Sequence, residues 1–128
     1  MIIVLDSNEL INFLNKKAQL EKVFEIENVS VHINELIVKE VLRNVSESLK
    51  KEFYALLLRS NVVVRNEKLP KWLFKKYREK GLKKGDIVIA SFYENEKADY
   101  LVTENRHFLK EAKFDRFKVV ELSEFLAA

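Results

Sequence analysis

The chain reads as an α/β domain, a three-layer α/β/α sandwich with a central, mainly parallel five-stranded sheet. Three observations predict this class. Short β-branched apolar runs alternate along the chain with amphipathic helical stretches, the order expected of parallel strands joined by helical crossovers. The first run, Ile2-Ile3-Val4-Leu5, is apolar on both parities, which suits a strand covered on both faces. Gly occurs only twice and Pro once, and no Ser- or Pro-rich segment or repeat period interrupts the 128 residues, so residues 1–128 are expected to form a single domain.

The elements follow in order. Ser7 is placed to cap a helix whose apolar positions are Leu10, Ile11, Phe13, Leu14 and Ala18, and Leu20, Val23 and Phe24 make a second short amphipathic piece. Val29, Val31 and Ile33 alternate as a strand. Asn34 is a good cap for a helix carrying Leu36, Ile37, Val38, Val41, Leu42 and Val45, and a further helix runs through Leu49, Phe53, Leu56 and Leu57. Val62-Val63-Val64 is the third strand. Pro70 suits a first helical position, Trp72, Leu73, Phe74 and Tyr77 form an apolar side, and Gly81 can close that helix in a left-handed conformation. A loop over Leu82 to Gly85 leads to a helix from Asp86, then strands at Tyr100-Leu101-Val102 and Lys118-Val119-Val120-Glu121.

Composition removes several function classes. Without cysteine there is no disulfide framework, thiolate metal site or cysteine nucleophile. The four apolar residues between Met1 and Asp6 are too few for a signal-peptide core, and no run approaches the roughly 20 residues of a membrane span, so a soluble, cytoplasmic protein is expected. The net charge of +3 is unevenly spread: from Arg65 to Lys84 nine cations face two acids, a local +7 that leaves −4 for the remainder. Such a patch suits a polyanionic partner gripped at one edge, with Lys75, Lys76, Arg78, Lys83 and Lys84 as the candidate nucleic-acid contacts, although most charge runs are only solvated helix faces.

Three acids stand where burial should exclude them. Asp6 ends the first apolar run, Glu40 lies on the apolar side of its helix, and Asp86 opens the segment Ile87-Val88-Ile89-Ala90-Ser91-Phe92. An ionised carboxylate among core residues costs several kcal/mol to desolvate unless a cation or donors meet it, so converging carboxylates point to a bound metal. Open parallel sheets bind ligands beyond the carboxyl ends of their strands, where strand order reverses. Asp6 follows strand one and Thr103-Glu104-Asn105 follows strand four, and in a five-stranded sheet that starts in the middle these two strands flank the reversal.

Val4-Leu5-Asp6-Ser7-Asn8, Ile37-Val38-Lys39-Glu40-Val41-Leu42-Arg43-Asn44, Gly85-Asp86-Ile87-Val88-Ile89-Ala90 and Ala98-Asp99-Tyr100-Leu101-Val102-Thr103-Glu104-Asn105-Arg106-His107-Phe108 follow one another along the chain. In these four segments, and over nearly its whole length, the sequence resembles the PIN-domain nucleases. The resemblance implies a PIN-like fold, Mg²⁺ or Mn²⁺ held by Asp6, Glu40 and Asp86, and hydrolysis of RNA, as in the toxins of VapBC-type toxin–antitoxin pairs. It also implies an antitoxin partner and a homodimer. Asp6 and Asp86 are expected to be direct ligands and Glu40 a ligand directly or through water, with Ser7, Thr103 and Asn105 orienting or assisting. One departure concerns the last segment, where the family usually carries Asp and this chain has Asn105 preceded by Glu104. An amide oxygen brings no charge, so either a second metal is held more weakly or Glu104 serves as the fourth acid.

Each feature has a plainer reading. Asp6 and Asp86 alone could cap or favour helix starts, a role worth about 0.3–1 kcal/mol, and Glu40 alone could be a rim acid paired with a lysine. Taken jointly, the three favour a metal site. Asp99 is expected to cap a turn and Glu35 to be a first-turn helix acid, while His32 and His107 share no ligand spacing. Trp72, Phe74 and Tyr77 are expected in the core rather than as a base-stacking platform, although one exposed ring amid Lys75, Lys76 and Arg78 could do both. A response-regulator receiver needs an acid after strand three, where Arg65-Asn66 offers none, and Gly81 with Gly85 makes no phosphate-cradling loop. The competing function is a PIN-like module that binds RNA or protein without cutting.

Overall fold

The computed structural model describes residues 1–16, 20–59, 61–105 and 118–127. Strands β1 (Ile2–Leu5), β2 (Ser30–Asn34), β3 (Val62–Arg65), β4 (Tyr100–Val102) and β5 (Lys118–Val120) form one sheet in the order β3-β2-β1-β4-β5. Every pairing is parallel. Among the described residues the helices are α1 (Ser7–Leu14), α2 (Glu21–Glu25), α3 (Glu35–Arg43), α4 (Glu47–Leu57), α5 (Lys71–Glu79), α6 (Lys84–Asn95) and α7 (Leu122–Ala127). One helical layer groups α1 with α3 and α4, and α5 packs on α6.

The central strand explains itself. Ile3, Val4 and Leu5 are all fully buried, because helices cover both faces of the sheet and neither parity meets water. Leu5 pairs with Val102, and the Asp6 amide continues the ladder to the Val102 carbonyl at 3.1 Å. Asp6 and Thr103 are thereby set side by side at the reversal between β1 and β4.

Local chemistry shifts several boundaries. Asp6, not Ser7, occupies the cap position of α1, which frees the Ser7 hydroxyl for the site. Asn34 caps α3 as expected, accepting from the Ile37 amide at 2.9 Å, an arrangement worth about 1 kcal/mol. Pro70 is the cap residue of α5 rather than its first helical residue. Gly81 has φ +88°, the left-handed conformation that ends α5, and the Leu82 amide returns to the Tyr77 carbonyl at 3.2 Å. Helix α6 begins at Lys84 and so takes in Gly85, which makes Asp86 its third residue. Asp99 closes no isolated turn: its carboxylate accepts from the Ile2 amide at 2.8 Å and pins the start of β1. Helix α7 was not expected, since six residues are too few to show a period. Ala18, His107 and the Arg106-His107-Phe108 end of the last motif lie outside the described residues.

The aromatic side of α5 splits. Leu73 and Tyr77, one helical turn apart, are buried, whereas Trp72 is 62% exposed. Positions 72, 73, 74 and 77 span about 200° of the helix, more than one packed face covers, so a flanking ring is left outside. The expectation that Trp72 belongs to the core is corrected.

Candidate active site

A cavity of about 200 Å³ opens at the carboxyl end of β1, lined by Asp6, Ser7 and Asn8, by Leu36, Ile37 and Glu40 of α3, by Gly85, Asp86 and Ile89 of α6, and by Asn105. Asp6, Glu40, Asp86 and Asn105 thus face one space. The turn after β1 delivers Asp6, and helical spacing puts Glu40 on the same face as Leu36 and Ile37, one turn earlier. Asp86 lies in the first turn of α6, where the positive end of the helix dipole favours a carboxylate.

Neutral groups tie the acids together. Thr103, fully buried, donates its hydroxyl to Asp6 Oδ2 at 2.8 Å and accepts from the Asn105 amide at 3.0 Å. Ser7 Oγ donates to Glu40 Oε2 at 2.7 Å and lies 3.4 Å from Asp6 Oδ1. Since a hydroxyl has one proton, Ser7 serves Glu40 well and Asp6 weakly. Asn105 Nδ2 approaches Asp86 Oδ1 at 3.4 Å. Glu104, in contrast, is exposed and does not line the cavity.

Burial pushes the Asp6 carboxyl above its ordinary pKa; the Thr103 hydroxyl and the Ser7 amide pull it back, and the nearby Glu40 raises it further. Among the described residues, no lysine, arginine or histidine pairs with Asp6, Glu40 or Asp86.

Glu9 is a further acid that the sequence reading passed over. It is only 1% exposed, and its Oε1 has no hydrogen-bond partner among the described residues. Burial, with Glu104 and Asp6 nearby and Glu121 beyond, raises its carboxyl to about 7, against the pull of a hydrogen bond from the Glu104 amide. The signal was available: Asp6-Ser7-Asn8-Glu9 has the spacing of a capping box, in which the acid would turn back on the cap. Here the Asp6 amide is already spent on Val102, so Glu9 reaches the segment after β4 instead.

The donors suit a hard divalent cation, since every polar side chain lining the cavity offers oxygen and none offers sulfur or imidazole. Among the described residues, no three acidic or histidine side chains form a ready-made metal cage.

The candidate RNA contacts divide. Lys75, Arg78, Lys83 and Lys84 are exposed, the last two at the positive end of α6, where cations are disfavoured by about 0.3–1 kcal/mol each. Lys76 instead pairs with Glu94, whose carboxylate also accepts from Tyr77 Oη at 2.8 Å. His32 lies away from the cavity, between Glu96 at 2.6 Å and Ser30 at 3.0 Å.

No family model matches the chain, and no curated protein matches it. Among solved structures it is similar to a chain of the crystal structure of VapBC2 from Rickettsia felis bound to a DNA fragment from their promoter, with 21% identity and a TM-score of 0.69 over 93% of this chain and 97% of that one. The expected architecture is thereby met in its strand order, its parallel pairing and its likeness: the chain has a PIN-like fold of the VapC type.

Proposed function

We propose that the protein is a divalent-metal-dependent endoribonuclease, the toxin of a toxin–antitoxin pair. The observation that carries this reading is the cavity at the β1/β4 reversal, where Asp6, Glu40 and Asp86 meet neutral donors and no cation of the protein's own among the described residues. Asp6 and Asp86 would hold Mg²⁺ or Mn²⁺, with Glu40 and the amide oxygen of Asn105 completing the set. Such an ion supplies positive charge against a phosphodiester and acidifies water. Thr103 fixes the rotamer of Asp6, and Ser7 holds Glu40 in place, so the carboxylates are oriented before any ligand arrives. Protonation of Glu9 below about pH 7 removes a charge from the neighbourhood of Asp6.

The VapBC2 likeness supports an antitoxin as protein partner, and a homodimer rests on the PIN resemblance alone, to be checked by sedimentation of the purified protein. Purified protein with Mn²⁺ is expected to cleave RNA, and Asp6→Asn to abolish cleavage. Absence of cleavage in the wild type at any Mn²⁺ concentration would favour the second reading, a PIN-like module that binds RNA or protein without cutting. Asn105, neutral where the family usually has Asp, is the residue that favours that alternative.

A further inference from the structure

The chain's single tryptophan is exposed on its most basic segment. Trp72 lines an open depression of about 540 Å³ on α5 together with Lys71, Lys75 and Arg78, with Glu79 as the one acid. Among the described residues no ring and no cation covers its faces, and Lys71, Lys75 and Arg78 form no ion pair. The neighbouring Lys76 is different: it is spent on Glu94, and with Lys80 it borders the ring of the buried Tyr77. The segment therefore sorts its cations, some holding the fold and others left to solvent around one bare aromatic ring.

The depression leads somewhere. Phe74 and Arg78 also line a second hollow, of about 410 Å³, whose other wall is Lys84, Ile87 and Val88 of α6. Gly85 and Asp86, which follow Lys84, line the acidic cavity. The exposed indole is thus joined through Phe74 and Arg78 to Lys84 at the start of α6, next in sequence to the residues that line the acidic cavity.

We propose that this surface is a substrate track on which one base of single-stranded RNA stacks on Trp72, while Lys71, Lys75, Arg78 and Lys84 follow the phosphates toward the acidic cavity. The inference rests on the nuclease reading for the destination of the strand, and on α5 alone for the stacking. Charge complementarity selects a polyanion over an apolar protein segment. A free base face selects a single strand, because in a duplex the base faces are already stacked.

Having one tryptophan makes the test site-specific. Tryptophan fluorescence is followed while wild-type protein in EDTA is titrated with a 2′-O-methyl oligonucleotide of twelve residues, single-stranded or annealed to its complement. The single strand is expected to quench Trp72 and the duplex to leave it unchanged. Trp72→Ala should weaken binding of a dye-labelled single strand about 5- to 100-fold, with Trp72→Phe recovering part of the loss, as expected for stacking. Because the ring is exposed, Trp72→Ala should leave the melting temperature close to that of the wild type. Lys75→Glu with Arg78→Glu should lower the slope of log affinity against log salt by about 1.4, at about 0.7 per lost contact. RNA cleavage with Mn²⁺ is measured in parallel to separate this inference from the nuclease reading. Cleavage by the wild type with KM unaltered in Trp72→Ala overturns the track and leaves the nuclease standing. Quenching without any cleavage supports the single-strand surface while the nuclease reading fails. No quenching, together with a dimer that Trp72→Ala dissociates, overturns the proposal in favour of a second copy of the chain on this face.

Discussion

Helix α6 holds acids at both of its ends, and the two ends treat them differently. At its carboxyl end Glu94 meets Lys76 and the Tyr77 hydroxyl, and Glu96 meets His32 at 2.6 Å and Arg65 at 3.0 Å. The helix dipole is negative there and disfavours these carboxylates, and positive charge from other elements offsets it. At its amino end Asp86 shares a cavity with Asp6 and Glu40, and the described groups around them are hydroxyls and an amide. At the carboxyl end of α6 the fold brings cations from the chain to its acids. Where it gathers three at the cavity, no cation of the described residues joins them.

The largest expected effect breaks that contrast at the cavity. Asp6→Asn should lower Mn²⁺-dependent RNA cleavage by more than about 100-fold, beyond the roughly 10–100-fold typical of groups that only orient a ligand. A residual rate within a factor of a few would mean that Asp6 is not part of the chemistry. The unmatched charge should also be visible without catalysis. Mg²⁺ at a hundred times its Kd should add about 2.7 kcal/mol to wild-type stability by mass action, and much less to Asp6→Asn. Equal melting shifts in the two proteins would place the ion elsewhere.

Glu9 sharpens the comparison through pH. Its carboxyl titrates at about 7 in the fold, above an ordinary value of 4.5. Because the folded value is the higher one, its favourable contribution is complete below pH 4.5 and is lost as the pH rises to about 7, then stays constant. The loss amounts to about 3 kcal/mol, and Glu9→Gln should remove this part of the pH slope. Urea denaturation in EDTA at pH 5 and pH 8 would show it, and identical slopes in mutant and wild type would contradict the burial argument. At the opposite end of α6, Glu96→Ala should cost about 1–3 kcal/mol at neutral pH with or without metal, since it strips a buried His32 of its partner. A Mg²⁺-dependent cost there would erase the distinction between the two ends.

The smallest effect tests the odd residue of the site. Asn105→Asp should tighten metal binding and speed cleavage a few-fold at limiting Mn²⁺, with little change at saturation, because it adds a charged oxygen of the same shape. Glu104→Gln should be nearly silent, since Glu104 is exposed and does not line the cavity. The reverse pattern would make Glu104 the fourth acid.

Much of the architecture was legible because strand and helix differ in period. The runs at 2–5, 62–64 and 100–102 fall within or on the observed strands, and the neighbouring of strands one and four follows from a sheet that starts in its middle. The three acids were legible as polar residues in apolar surroundings, and their convergence on one cavity is what the structure adds. Glu9 was not, because its partner is the Glu104 amide, far along the chain, and a capping-box spacing offered a nearer explanation. The His32–Glu96 pair was hidden for the same reason, with 64 residues between its members. Trp72 was misjudged because apolar identity was counted without asking how wide an arc a single helix face can bury.

The order in which β1 and β4 meet has a consequence for biosynthesis. Asp6 acquires its Thr103 hydrogen bond only when a strand 97 positions later docks beside β1. Contacts of such separation pay their loop-closure entropy before they return anything, so they form late and slow the folding of parallel sheets. A nascent chain still inside the ribosome beyond residue 97 holds Asp6 and Glu40 but neither β4 nor Thr103, and its acids lack their final alignment. Alignment of the acids at the cavity is thus postponed until β4 has been made and has docked beside β1.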